Sequence, residues 1–132
     1  MLNILLADDI EGWLLFHKRN LEAFFMNREV NYYLFKSATE AYNFALGFSD
    51  KIDLVITDLE MEAMDMPAGE WLINNLKNIK STKDSRYIII SASPSISFVA
   101  KRADADAFLR KASYHSNPLE LKYQLEEMLG VL

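Results

Sequence analysis

Aspartates stand where two apolar segments of the chain end. The segment LNILLA runs directly into Asp8 and Asp9, and the segment DLVIT runs directly into Asp58. Carboxylates brought close together raise each other's pKa unless a positive charge compensates them. A hard divalent cation, bound by oxygen atoms and retaining several waters, supplies that compensation. If the two segments are neighbouring strands, the three aspartates predict a metal site.

Two further segments end in residues that complement an acidic site. Ser91 closes the run YIIIS, and Lys111 directly follows the run ADAFLR. Carboxylates, a divalent ion, an ammonium group and a hydroxyl donor together suit phosphoryl transfer, because the cations neutralise charge on the equatorial oxygens of the phosphoryl group. Aspartate can also act as a covalent nucleophile toward such a group. The residue types therefore indicate phosphoryl chemistry.

Apolar periodicity predicts five strands that alternate with five helices. The strands are predicted at residues 3–7, 30–35, 53–57, 87–91 and 107–109. Helices are predicted within residues 12–25, 38–46, 72–79 and 96–103, and from residue 117 onward. Ser37 and Asn117 are the predicted N-caps of two of these helices. The core face of the last helix is predicted to comprise Leu121, Leu125, Met128 and Leu132.

This alternation predicts an α/β fold in which helices cover both faces of a parallel sheet. We expect a flavodoxin-like, doubly wound sheet with the strand order 2-1-3-4-5. Strands one and three are neighbours in this order, which brings Asp8, Asp9 and Asp58 together. Ligands in such sheets bind beyond the carboxyl ends of the strands, where the strand order reverses. The candidate residues follow these strand ends, so fold and chemistry indicate the same location.

The composition excludes several classes of function. The 132 residues suggest a single domain over residues 1–132, and the net charge of −5 argues against direct nucleic-acid binding, which needs a basic surface. The chain has no cysteine, so disulfides, thiol nucleophiles and thiolate metal sites are excluded. No apolar run approaches the roughly 20 residues of a membrane span. We expect a cytoplasmic protein without membrane insertion.

Four sequence motifs follow one another along the chain in this order: ILLADD, DLVITDLEM, YIIISAS and ADAFLRKA. Each motif ends a predicted strand, and together they extend over nearly the whole chain. With these motifs the chain resembles a response-regulator receiver domain of two-component signalling. The resemblance implies that Asp58 accepts a phosphoryl group from a phosphohistidine, carried by a sensor histidine kinase or a histidine phosphotransfer protein. It also implies that the phosphorylated domain signals through contact with a downstream protein target.

The resemblance further implies how metal is held. Asp8 and Asp9 would bind Mg²⁺ (or Mn²⁺), with Asp9 as the most direct ligand. Asp58 and the backbone carbonyl of Glu60 would complete the protein ligands. Magnesium keeps several waters in such sites because few protein ligands are available.

Three other residues receive roles in the switch from the same resemblance. Ser91 would bond a phosphoryl oxygen and move on activation, and Lys111 would pair with the phosphoryl group. Phe108 occupies the position of the aromatic residue that turns inward when the serine moves. These roles describe a domain with two conformations, of which the phosphorylated state favours one.

Each candidate residue also has an ordinary structural explanation. An aspartate before a helix is a common N-cap, so Asp8 or Asp9 can serve the first helix in that way. Phe108 lies on a short strand, where a phenylalanine is commonly a core residue. His17 and His115 have no sequence partner that implies catalysis or metal binding, and we assign both to solvated or capping positions.

Three features depart from the receiver pattern. Receivers usually have a proline with a cis peptide bond after the lysine, whereas this chain has Ala112, so the aim of Lys111 needs another explanation. The segment EMEAMDMPAG is longer than usual between Asp58 and the glycine of the third helix, and its acidic residues add negative charge beside the site. Asp104 stands where the family favours glycine, and aspartate tolerates a left-handed conformation better than most residues.

Three functions are compatible with these observations. The leading hypothesis is a stand-alone receiver, a phosphoacceptor switch rather than a conventional enzyme, because the sequence ends directly after the last predicted helix. The first alternative is an interaction module that keeps the fold without using phosphate. The second is a metal-dependent phosphatase with an aspartyl-phosphate intermediate. Such a phosphatase needs an aspartate two residues after the nucleophile, and this chain has Glu60 there.

Overall fold

The computed structural model describes residues 1–130 and contains one sheet of five parallel strands. The strands are β1 Leu2–Ala7, β2 Val30–Phe35, β3 Leu54–Thr57, β4 Arg86–Ser91 and β5 Ala107–Arg110. Their order across the sheet is β2-β1-β3-β4-β5, and every neighbouring pair is parallel. The predicted flavodoxin-like α/β fold and its strand order are therefore confirmed.

Six helices, rather than the five predicted, surround the sheet in residues 1–130. They are α1 Glu11–Phe24, α2 Ala38–Gly47, α3 Ala68–Leu76, α4 Ile96–Arg102, α5 Lys111–Ser116 and α6 Leu119–Leu129. The additional helix is α5, which follows β5 directly. It has six residues, of which only Lys111 and Tyr114 are buried. A helix this short and this polar leaves no apolar period in the sequence, which is why it was not predicted.

The prediction that the Asn117 side chain caps the last helix is wrong. Asn117 ends α5 with φ −139°, and within the described residues its side chain forms no capping hydrogen bond to α6. Pro118 has helical dihedral angles, and the Asn117 carbonyl accepts the Glu120 N–H at 3.0 Å. Two helices meet at this point, so the residue that looks like the start of one is the end of the other.

Two other helix predictions differ from the structure in detail. Helix α3 ends at Leu76, and Ile79 lies in the turns that follow it. On α6, Leu121 and Leu125 are buried as predicted, and Met128 packs half-buried against the same core. Leu132, the last residue of the predicted face, lies outside the described residues.

Alternating residues of the strands divide the apolar core into two layers. Leu5 and Ala7 of β1 pack with α2, α3 and α4 on one face of the sheet. Ile4 and Leu6 pack with α1, α5 and α6 on the other face. This division follows from the period of two in a strand, which sends successive side chains to opposite faces. Since both faces are covered, the middle of each strand consists of apolar and aromatic residues, and polar residues collect near the strand ends.

The first turn of α2 receives its capping from two separate parts of the chain. Ser37 is the N-cap, as predicted, and its side chain accepts the Glu40 N–H at 3.1 Å. Glu62, in the long loop after β3, accepts the Ala38 N–H at 2.7 Å and the Thr39 N–H at 2.9 Å. Free N–H groups at a helix start need such acceptors, and a carboxylate there also suits the helix dipole. The long loop is thereby attached to α2.

Replacing Glu62 with alanine should lower the free energy of unfolding by about 1 kcal/mol at pH 7, because two N–H groups lose their acceptor. Burial alone would raise the pKa of Glu62, but the N–H groups of Thr39 and Ala38 outweigh it and leave this pKa below its ordinary value. The contribution is therefore complete above about pH 4.5 and is lost as the pH falls through the lower, folded-state pKa. Chemical denaturation at several pH values measures it.

The matched control for this experiment is Asp65→Ala, which removes an exposed carboxylate from the same loop. The control should leave the free energy of unfolding within about 0.5 kcal/mol of wild type. Equal losses in the two variants would show that negative charge in the loop, and not capping by Glu62, sets the effect.

Candidate functional site

The register of β1 and β3 brings the aspartates together. Ala7 pairs with Thr57, so Asp8 and Asp58 are the next residues on adjacent strands, and the Asp58 N–H donates to the Ala7 carbonyl at 2.9 Å. Asp9 follows at the same edge. One carboxylate oxygen from each of the three aspartates lies within 4.8 Å of the others. Asp8 and Asp58 are buried, and Asp9 is exposed.

The ammonium group of Lys111 lies between the two buried carboxylates. Its Nζ is 2.9 Å from Oδ2 of Asp8 and 2.9 Å from Oδ2 of Asp58. The other oxygen of each aspartate accepts a backbone N–H, from Ile10 at 2.9 Å and from Leu59 at 2.6 Å respectively. The two aspartates are thus held in equivalent ways, each by one nearby N–H group and by the shared lysine.

Burial and charge alter the pKa values of this cluster. Burial raises the pKa of Asp8, with a further contribution from the Asp58 charge, and these effects exceed the opposing influence of the Ile10 N–H and the Lys111 ammonium group. Burial alone would lower the pKa of Lys111, but its contacts with the Asp58 and Asp8 carboxylates outweigh it and leave this pKa raised. The lysine is therefore charged at neutral pH, which the buried pair of carboxylates requires.

The oxygen atoms of the cluster suit a hard divalent cation. Oδ2 of Asp8 is buried, and apart from its 2.9 Å ionic contact with Lys111 Nζ it has no hydrogen-bond partner among the described residues. Three carboxylates and one ammonium group leave a charge of about two negative units when all are ionised. A divalent ion balances this charge and offers the unpartnered oxygen a ligand bond. The residues present therefore fit Mg²⁺ or Mn²⁺.

An open depression above the cluster contains most of the predicted site residues. Its walls include Asp9, Asp58, Glu60, Ser91 and Lys111. Glu60 is exposed at this surface, so its backbone carbonyl is a candidate ligand on the open side. Ser91 is buried at the end of β4, and its hydroxyl accepts the N–H of Ser93 at 3.2 Å. Two of the three aspartates, Asp9 and Asp58, thus border one space with the lysine and the serine.

Phe108 lies outside this depression. It is half-buried on β5, pairs with Ile89 of β4, and packs against the core layer formed by α2, α3 and α4. The Arg110 guanidinium lies 5.8 Å from its ring centroid. The ring also lines a separate groove with Lys101 and Gln124. The structure therefore places Phe108 between the core and an open surface, one strand away from Ser91.

The chain resembles known proteins in its structure, although sequence comparison finds no family. No protein-family model and no curated protein matches the sequence. Among solved structures, a response-regulator receiver domain protein from Clostridium thermocellum is 26% identical, with 84% of this chain and 82% of that chain covered and a TM-score of 0.68. The isolated receiver domain of RcsB from Salmonella enterica serovar Typhimurium is 22% identical, with 98% and 90% covered and a TM-score of 0.74. The chain has the receiver-domain fold.

The resemblance drawn from the sequence motifs is thus confirmed. A longer RcsB response regulator from Salmonella typhimurium also matches, at 20% identity and a TM-score of 0.73. Of its length, the present chain covers 62%, while 99% of the present chain is covered. The receiver fold accounts for nearly all of the described residues, and the longer relative contains a part that this chain does not match.

Two departures from the receiver pattern have a structural explanation. The Lys111–Ala112 peptide bond is trans, since no cis peptide bond occurs in residues 1–130, and the lysine begins helix α5. Asp104 has φ 55°, the left-handed conformation for which glycine is favoured. The sequence prediction for Asp104 is therefore confirmed.

The long loop after β3 ends in α3, and the first turn of α3 packs closely against the backbone of Asp58. A Cβ atom on Gly69, in the first turn of α3, would lie 2.0 Å from the backbone oxygen of Asp58. The Gly69 N–H also donates to the Leu59 carbonyl at 3.0 Å. Only glycine permits this approach, so α3 is placed directly against the residue that follows β3. Of the acidic loop residues, Glu60 borders the depression, whereas Glu62 points to α2.

The prediction that His17 is a solvated or capping residue is wrong. His17 is buried, and its Nδ1 lies 3.1 Å from the Tyr114 hydroxyl, which also accepts the Asn20 amide at 3.1 Å. Burial lowers the pKa of His17 to about 3, with a smaller effect from the Lys111 charge. The sequence gives no sign of this role, because Tyr114 is 97 residues away and lies on the helix that was not predicted. His115 is exposed, as expected.

Acidification should reveal the buried histidine. The unfolded chain takes up a proton on His17 below about pH 6.5, whereas the folded chain takes it up only near pH 3, so stability from this group is lost as the pH falls between these values. Between pH 7.5 and pH 5 wild type should lose about 2 kcal/mol more unfolding free energy than His17→Gln. Denaturant titrations at the two pH values measure the difference.

The variant His115→Gln is the matched control, because His115 is the other of the chain's two histidines and is exposed. It should follow the pH dependence of wild type. If His17→Gln loses as much stability on acidification as wild type does, His17 is already protonated or solvated in the folded protein and the assignment is incorrect.

Proposed function

We propose that this chain is a phosphoacceptor switch in which Asp58 takes a phosphoryl group from a phosphohistidine. The donor is a sensor histidine kinase or a histidine phosphotransfer protein. In the transfer, the P–N bond to the donor imidazole breaks and a P–O bond to an Asp58 carboxylate oxygen forms, and the released imidazole takes up a proton. The observation that carries the proposal is the Lys111 ammonium group, held 2.9 Å from Asp58 at the base of an open depression.

The residues around Asp58 supply what the transfer needs. Lys111 lies where it can neutralise charge on one phosphoryl oxygen, and the Ser91 hydroxyl borders the same space and can donate to another. Asp8, Asp9 and the Glu60 carbonyl would hold Mg²⁺ or Mn²⁺ with Asp58. The bound ion would neutralise further charge on the phosphoryl oxygens. Asp8, which is fully buried, would hold this arrangement from beneath.

The solved relatives lend support through their chemistry. The RcsB receiver domain was solved in the presence of the phosphomimetic BeF3⁻. We extend to this chain the phosphoryl acceptance which that ligand imitates. Other RcsB structures contain DNA, but the net charge of −5 in the present chain favours signalling through a protein target rather than direct nucleic-acid contact.

Residues 1–132 would form a single receiver domain that acts in the cytoplasm. Phosphorylation adds roughly 1.5 to 2 negative charges at Asp58. Ser91 would move toward the new oxygens and vacate space beside β5, into which Phe108 can turn. The groove that Phe108 shares with Lys101 and Gln124 would change shape and alter the affinity for the downstream protein. No helix in the described residues is long and apolar enough to cross a membrane.

The principal alternative is a receiver-like interaction module that does not use phosphate. The missing proline after Lys111 favours that alternative, whereas the two 2.9 Å contacts of the lysine oppose it, because its aim is kept. A metal-dependent phosphatase is the weaker alternative. The glutamate that replaces its second aspartate, Glu60, is exposed at the rim of the depression.

A small phosphodonor with Mg²⁺ should add one phosphoryl group to the wild-type protein. The adduct should be base-labile and should withstand acid better than a phosphohistidine. Asp58→Asn should abolish it, because an amide is not a nucleophile of this kind. Intact-mass spectrometry of both proteins, with and without Mg²⁺, measures the outcome.

A second variant, Asp9→Ala, is the control for the metal. It keeps Asp58 and Lys111 but should shift the dependence of phosphorylation on Mg²⁺ to much higher concentration, because one ligand is lost. An unmodified wild type, under conditions that modify a known receiver, would favour the interaction module. A normal Mg²⁺ dependence in Asp9→Ala would show that the ion binds elsewhere.

Replacing Ser91 with alanine should separate chemistry from output. Asp58 and Lys111 remain, so the variant should still accept phosphate, but its structural response should be weak because the phosphoryl oxygen loses its hydroxyl donor. The amide chemical shifts of α4, β5 and α6, recorded before and after phosphorylation, measure the response. A full response in Ser91→Ala would exclude coupling through Ser91 while leaving Asp58 as the acceptor.

A further inference from the structure

Helix α1 places an indole ring against the lysine of the site. The centroid of the Trp13 ring lies 4.9 Å from Lys111 Nζ, within the roughly 6 Å range of cation–π attraction. Trp13 is half-buried, and Lys111 is 6% exposed. The ammonium group therefore contacts Asp8, Asp58 and an aromatic ring.

The ring is held in place by a regular contact between two helices. Trp13, His17 and Asn20 are spaced i, i+4 and i+7, so they share one face of α1. Lys111 and Tyr114, spaced i and i+3, share one face of α5. Tyr114 stacks on both Trp13 and His17, with ring centroids 6.2 Å and 5.5 Å away. Its hydroxyl bonds to His17 and Asn20, which fixes α5 against α1.

An aromatic ring suits this lysine better than a third anion would. The face of an indole attracts a cation through its quadrupole but carries no net charge. Trp13 can therefore fix the direction of the ammonium group without neutralising it. The positive charge of Lys111 remains available to a ligand that reaches Asp58.

We propose that Trp13 is a positioning residue for Lys111, whose indole face aims the ammonium group at Asp58. This contact explains how Lys111 keeps its direction although Ala112, and not the usual proline, follows it. Its use in phosphoryl transfer rests on the function proposed above, whereas the contact itself does not. The two parts can therefore be tested separately.

The contact is tested without any phosphoryl ligand. Protons held over an aromatic face are shifted upfield, so the ε-methylene protons of Lys111 should resonate upfield of those of the exposed lysines. Trp13→Leu should move them toward the ordinary lysine position, and Trp13→Phe should leave part of the shift. Phe16→Leu is the matched control, because Phe16 of α1 packs against both Trp13 and Tyr114; the variant removes a ring from the same helix contact but keeps the indole over Lys111, and it should keep the shift.

The use of the contact is tested by the rate of phosphorylation with a small phosphodonor at saturating Mg²⁺. Loss of the cation–π contact should slow Trp13→Leu by roughly 2- to 30-fold. Trp13→Phe should recover part of the rate, and Phe16→Leu should match wild type. A general loss of structure would instead slow Phe16→Leu as well, and the unfolding midpoints of all three variants detect it.

The outcomes distinguish the two proposals. If the Lys111 protons are not shifted, or if Trp13→Leu phosphorylates at the wild-type rate, Trp13 does not position the lysine. If the proton shift depends on Trp13 but wild type accepts no phosphoryl group, the contact is real, the role of Trp13 in transfer is excluded, and the proposed function fails with it. A shift and a rate that fall together in Trp13→Leu alone support both proposals.

Discussion

The shared ion pair of Lys111 with Asp8 and Asp58 is the interaction on which the site depends. Two buried carboxylates at the ends of adjacent strands would repel one another, and an unpaired buried charge costs several kcal/mol. The lysine removes this cost while β1 and β3 remain in register. It also leaves a charged group at the base of an open depression. One side chain thus permits both strands to be followed by buried carboxylates and provides a positive charge where a ligand can reach it.

The site is assembled from both layers of the fold. The layer of α1, α5 and α6 supplies the lysine and the aromatic side chains beside it. The layer of α2, α3 and α4 supplies the close approach of Gly69 to the backbone of Asp58. The sheet between them fixes the distance from one to the other, because the register of parallel strands determines which residues end side by side. A shift of either layer would therefore alter the same distance, the one between Lys111 Nζ and Asp58 Oδ2.

Most of the fold and the membership of the acidic cluster could be predicted from the sequence. Apolar runs that end in Asp8 and Asp58 are local signals, and only the strand order was needed to bring the two residues together. The left-handed Asp104 was also predictable, because the conformation depends on one residue. Helix α5, the burial of His17 and the capping role of Glu62 were not predictable. Helix α5 is too short and too polar to leave an apolar period, and the roles of His17 and Glu62 depend on contacts between segments far apart in the chain.

The attachment of Glu62 to α2 has a dynamic consequence. A loop beside a binding site usually opens at low cost and independently of its neighbours. This loop cannot lift away without exposing the N–H groups of Ala38 and Thr39, so opening of the loop and fraying of the helix are one cooperative event. Amide hydrogen exchange at two residues of α2 would then report on motion beside Asp58. The long loop after β3 thereby ties the mobility of the site's border to the first turn of α2.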